Sequence, residues 1–146
     1  LLVNGPGTRK EATANAAITP GHLVELMTTG NIRVHAAAGT NAQKSFALED
    51  DLQGKEISVA YAANDRAFYS VFKTGDRVNA LLNNGENVAI GAPLESAGNG
   101  ALQAHTLGSA AVVEAPNSIV GYALEAVDMS DSSAADPSGR IAVEIA

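Results

Sequence analysis

One order of residues runs through this chain twice. Ile18-Thr19-Pro20-Gly21-His22-Leu23 leads through Gly30-Asn31-Ile32-Arg33-Val34-His35 to Phe46-Ala47-Leu48-Glu49. Ile90-Gly91-Ala92-Pro93-Leu94 leads through Gly98-Asn99-Gly100-Ala101-Leu102-Gln103-Ala104-His105 to Tyr122-Ala123-Leu124-Glu125. Each copy reads strand, Gly-Asn turn, strand, loop, strand, and the loop is longer in the second copy. A fold for this chain must therefore hold two similar β units, over about residues 18–49 and 88–125. What recurs is apolar alternation and turn residues, which builds a scaffold and carries no set of reactive groups.

Glycine or asparagine interrupts the chain roughly every eight to twelve residues, a spacing that suits sandwiches and barrels and leaves little room for helix. Ile32-Arg33-Val34-His35-Ala36, Ile57-Ser58-Val59-Ala60-Tyr61 and Arg140-Ile141-Ala142-Val143-Glu144-Ile145 alternate apolar and polar, as half-buried strands do. Ser118 to Ala126 reads as a long strand with a bulge at Gly121. Pro116 demotes the stretch around Val112-Val113 to an edge strand or loop. The predicted fold is all-β, a compact barrel or sandwich of two related halves over residues 17–146.

Residues 1–16 read differently. Asn4-Gly5-Pro6-Gly7-Thr8 is turn-rich, Arg9-Lys10-Glu11 is polar, and no period of 2 or 3.6 is sustained. This stretch is predicted to be an extended N-terminal arm that the domain folds without and that orders against a neighbour. The residues expected to touch that neighbour are Leu1, Leu2, Val3, Arg9 and Lys10. Tyr69 joins them, because in Arg66-Ala67-Phe68-Tyr69-Ser70-Val71-Phe72 it falls on the strand face opposite Phe68 and Phe72.

Hydrophobic residues are 46% of the 146, much of that alanine, while aromatics are 4% and charged residues 17%. The core must come from Val, Ile, Leu and Ala, and a surface this poor in charge suits coverage by partners. Net charge is −7, and the excess lies in the second half, where Arg77 and Arg140 face nine acidic residues. A negative field repels phosphate backbones, so nucleic acid is not an expected partner. There is no cysteine, which excludes disulfides, thiolate nucleophiles and Cys-based metal sites. No run of eighteen apolar residues offers a membrane-spanning helix.

Each candidate reactive constellation has a plainer reading. His22, His35 and His105 lack the short spacing of many metal sites, so no metal or other cofactor is expected. Glu49-Asp50-Asp51 and the loop from Asp128 to Asp136 lack the alternating ligands of a calcium loop. No Gly-x-Ser-x-Gly elbow occurs. Gly98-Asn99-Gly100 runs on into a strand where a phosphate loop needs a helix. The chain is not expected to be an enzyme.

Several strings nonetheless resemble a known family: Ile18-Thr19-Pro20-Gly21, Val34-His35-Ala36, Phe46 to Gly54, Ala89 to Gly100 and Ile119 to Ala126. They are similar to the small decoration, or cement, proteins of tailed-bacteriophage capsids, over about Ile18 to Ile145. The resemblance implies a structural virion protein, made in the bacterial cytoplasm and bound to the outer capsid surface. It implies a homotrimer that reinforces contacts between major capsid protein subunits, with the arm reaching across the shell. It transfers no functional residue, since that family's contacts are surfaces. The alternative is a β-barrel binding module, for a receptor or carbohydrate or associated with a phage tail.

Overall fold

A computed structural model describes residues 2–4 (as backbone), 7–106, 117–131 and 139–146. The strands are β1 (Leu2–Asn4), β2 (Thr8–Thr13), β3 (Val24–Leu26), β4 (Ile32–Val34), β5 (Ser45–Ala47), β6 (Arg66–Val71), β7 (Arg77–Leu81), β8 (Asn87–Val88), β9 (Pro93–Ser96), β10 (Leu102–Ala104), β11 (Ile119–Ala123), β12 (Val127–Asp128) and β13 (Arg140–Ile145). Asp51–Gln53 is a single 3-10 turn, capped by the Asp50 side chain accepting from Gln53 N–H. The protein is all-β, as its turn spacing predicts. One six-stranded sheet runs β1-β7-β13-β11-β9-β10, and smaller sheets pair β2-β6-β5, β3-β4 and β12-β8, all antiparallel.

The two halves, Thr8 to Phe72 and Arg77 to Ala146, make the same main-chain bonds. Gly21 N–H donates to Ala47 O and Gly91 N–H to Ala123 O; His35 N–H donates to Leu23 O and His105 N–H to Pro93 O. Phe72 N–H reaches Lys44 O, and Ala146 N–H reaches Val120 O. Leu23 bridges Phe46, and Pro93 pairs with Tyr122. The correspondence runs through all of β2 to β6 and β7 to β13. It aligns Gly30 with Gly100 and not with Gly98, since Met27 N–H to Asn31 O is matched by Ala97 N–H to Ala101 O.

Each half has its own core at matching positions. Ile18, Val24, Ile32, Ala47, Ala67 and Tyr69 belong to the first, and their counterparts Val88, Leu94, Leu102, Ala123, Ile141 and Val143 to the second. The second core also takes in Leu23, Phe46 and Phe72 from the first half, and this joins the two. The Phe46 and Phe72 rings meet edge to face, centroids 6.1 Å apart, a favoured aromatic geometry.

Three expectations need correction. Thr8–Thr13 is no detached arm: β2 lies along the whole of β6, from Thr8 opposite Val71 to Thr13 opposite Arg66. It is the counterpart of β7, so β6 offers it the ladder that β13 offers β7. Its residues 8–11 are solvent-exposed, as on an edge strand, and this is why the sequence shows no period there. Ile57 to Ala60 form no strand; only Tyr61 bridges, to Ile18. Tyr69 lies in the first core, 7% exposed, and Phe68 on the other face carries the Arg9 guanidinium 4.6 Å above its ring.

The bulge falls where glycine predicts it. The β11–β9 register shifts between Ile119 and Gly121. On the other side of β11, a Cβ on Gly121 would lie 2.5 Å from Glu144 O of β13, so β11 and β13 approach closely there because the side chain is absent.

Candidate functional site

Of the residues expected to touch a neighbour, Leu1 lies outside the described residues. Leu2 and Val3 fall in β1, whose backbone pairs with the free edge of β7. Arg9 is exposed and held by Asp51, Nη2 to Oδ1 2.8 Å, and the guanidinium keeps the Asp51 carboxyl below the usual carboxylate range. Lys10 is exposed on β2. Tyr69 is buried and shares no surface with the exposed Arg9 and Lys10.

His35 and His105 are placed by the repeat, His22 stands where the second half has Ala92, and the three do not converge. His35 is buried at the seam between the halves. Its Nε2 faces the carbonyl of Asn41 (3.2 Å), so the neutral ring carries its proton there. Nδ1 then accepts from the Ser96 hydroxyl at 2.7 Å, while Ser96 Oγ accepts from Gly98 N–H. A Glu25 carboxylate oxygen lies 3.7 Å from His35 Nε2. Hydroxyl, imidazole and carboxylate thus meet as in a nucleophilic triad. Ser96, however, has no exposed surface, so its oxygen meets no solute in this conformation. In the second half the matching pair, Glu95 and His105, bonds directly at 2.7 Å, with Gln103 on the other carboxylate oxygen. Among the described residues no three His, Asp or Glu side chains form a metal-binding group.

His22 opens into a cleft of about 190 Å³ at the seam, lined by Thr19, Leu82, Asn83, Asn84, Asn99 and Ala101 among others. Its Nδ1 accepts from Thr19 N–H at 3.1 Å. Burial, and secondarily the Arg140 charge, push its pKa down to about 4. Arg140 ties the seam by donating to Pro20 O (2.9 Å) and Ile57 O (3.1 Å). The acidic cluster is dispersed: Asp50 caps the 3-10 turn, Asp51 pairs with Arg9, and Asp50 joins Lys55, Tyr61 and Arg66 around a second hollow of about 160 Å³. The loop beyond Asp131 lies outside the described residues up to Ser138.

What the sequence reading passed over is apolar surface. Ile90 is 71% exposed, Leu26 62% and Tyr122 43%. One signal was available: Tyr122 stands in the repeat where Phe46 stands, and a polar-tipped aromatic in place of a wholly apolar one suits a site open to water.

No protein-family model matches the chain, and no curated protein matches it. Among solved structures it is similar to the N base of the head fiber gp8.5 of bacteriophage phi29, with TM-score 0.57 at 13% identity, over 95% of this chain and 93% of that one. The likeness takes in both halves and defines the class of fold: an all-β protein of two repeated units shared along its whole length. Among the described residues no helix is long and apolar enough to cross a membrane.

Proposed function

We propose that this protein is a structural component of a phage virion. It sits on the outer surface of the head, binds the major capsid protein and reinforces contacts between capsid subunits. It is made in the bacterial cytoplasm, acts as a homo-oligomer, a trimer by the decoration-protein resemblance, and is not an enzyme. Neither nucleic acid nor membrane is its partner. The observation that carries this reading is the fold likeness to a phage head fiber base, end to end in both chains. The decoration-protein strings in the sequence support the same virion role. The net charge of −7 weighs against DNA as its target. Many copies on one lattice would make individually weak contacts collectively strong.

The test mixes purified protein with expanded heads that lack it and sediments them. It is expected to travel with the heads, saturate at a fixed number of copies, and raise their resistance to heat or chelator. Absence from the head fraction would overturn the reading. The alternative, a receptor- or carbohydrate-binding module, draws on the Asn-rich cleft beside His22. Binding to host cells with none to heads would favour it.

A further inference from the structure

The seam between the halves is head-to-tail, and this leaves each half with one unused face. The first half contributes Leu23, Phe46 and Phe72 to the core of the second. Their counterparts in the second half are Pro93, Tyr122 and Ala146, and none of these is buried. The second half receives them with a face that includes Ser96, Gly100 and Arg140, through Leu23 N–H to Gly100 O, His35 to Ser96 and Arg140 to Pro20 O. The counterparts of that receiving face in the first half are Leu26, Gly30 and Arg66, and all three are exposed. Had the seam been two-fold, both members of each pair would be covered.

We propose that copies of this chain associate head to tail, the open face of the second half of one copy docking on the open face of the first half of the next. The proposal names the surface through which the copies suggested above would meet, and rests on that association and not on the capsid. Three observations support a second copy as the occupant. The internal seam already shows that these two kinds of face fit each other. Of the five large hydrophobic side chains exposed among the described residues, Ile90 and Tyr122 stand on one of the two faces and Leu26 on the other. Charge is also complementary. Arg140 lies in the field of Glu49 across the seam, and their counterparts are Arg66 on the one open face and Glu125 on the other. Among the described residues Arg66 is paired only with the exposed Glu11 of its own strand pair, at 3.1 Å, and Glu144 stands opposite Tyr122 in the ladder. The contact is not an identical copy of the seam, because Pro93 has no N–H to replace that of Leu23. A heterologous contact of this kind closes into a ring or runs on as a fibre according to its rotation.

The test is solution mass by light scattering, with cross-linking to fix the geometry. Wild-type protein is expected well above the 14.8 kDa of one chain. Tyr122→Lys, which sets a cation against Arg66, and Leu26→Glu, which sets an acid against Glu125, should each bring the mass down to one chain while the far-UV circular dichroism stays that of the folded chain. The chain has no cysteine, so Ile90→Cys and Arg66→Cys give clean single attachment points. A short bismaleimide should join the two variants when mixed and leave each alone unjoined. Three results would overturn the proposal: a monomeric wild type, an oligomer untouched by both substitutions, or cross-linking within one cysteine variant. A monomeric wild type rejects association itself, with head binding read separately by sedimentation. The other two results reject this surface alone.

Discussion

Phe46 and Tyr122 hold the same position in the two halves, facing Leu23 and Pro93 across equivalent strand pairs, yet Phe46 is wholly buried while Tyr122 is 43% exposed. The backbone treats them alike, and what differs is what lies against each.

Phe46→Ala therefore should destabilise the protein by about 3–5 kcal/mol, the usual cost of emptying a core aromatic site. Tyr122→Ala in the isolated chain should cost below about 1 kcal/mol. Urea unfolding of the two variants measures the difference. Equal losses would mean that the seam contributes no more than the open surface.

Gly30 and Gly100 form a second such pair, with φ of +87° and +82°. A Cβ at Gly30 meets nothing within 4 Å, whereas at Gly100 it would lie 2.8 Å from Val34 Cβ across the seam. Gly30→Ala should cost about 1 kcal/mol, from the left-handed backbone alone. Gly100→Ala adds steric overlap and should cost about 1–3 kcal/mol more. Thermal unfolding monitored by circular dichroism decides between equal and unequal effects.

His22 should give the protein an acid limb. Its folded pKa of about 4 lies below the unfolded value of about 6.5, so the fold favours the neutral ring. The associated stability is whole above about pH 6.5 and is lost as pH falls toward 4. Protonation would also break the bond that Nδ1 accepts from Thr19. The loss should be on the order of 2 kcal/mol, allowing for partial exposure. His22→Gln should flatten the stability–pH curve between pH 6.5 and 4, and a curve of unchanged slope would remove His22 from this role.

Tyr61 works at the other end of the scale. Burial pushes its phenol up to about 12, and the hydroxyl donates to Leu48 O at 2.7 Å. The neutral phenol is the favoured form, so its contribution is complete below pH 10 and lost between pH 10 and 12. Tyr61→Phe should lower stability near neutrality by about 1–2 kcal/mol, leaving the Leu48 carbonyl without this donor. Guanidinium unfolding at pH 7 and pH 11 should show the variant's deficit shrinking at the higher pH.

Deleting residues 1–16 should disrupt the first half, since it removes β2 together with buried Ala12 and Ala14. The loss should be at least about 3 kcal/mol from six ladder positions. Amide exchange in Arg66–Val71 reads it directly. Full protection of β6 in the truncated chain would restore the idea of a detachable arm.

The pattern of turns and alternation carried the all-β class, and the Phe46 and Tyr122 tetrads marked equivalent strands. The β2 edge was illegible because Thr8 to Glu11 are exposed, so no face of the strand is written in apolar residues. The burial of Tyr69 is hidden for a related reason. Alternation separates it from Phe68 and Phe72, but its own face of β6 is covered by the first core, while on the other face only the Phe72 end is covered by the seam.

Composition and spacing by themselves determined that this chain makes short antiparallel strands in two similar units, because turn residues and period-2 alternation act locally. Only the tertiary structure decided which copy of each apolar position is covered. A strand fixes the side to which a residue points; which element packs on that side depends on contacts far apart in the chain. In this protein the second half covers Phe46 and leaves Tyr122 in water.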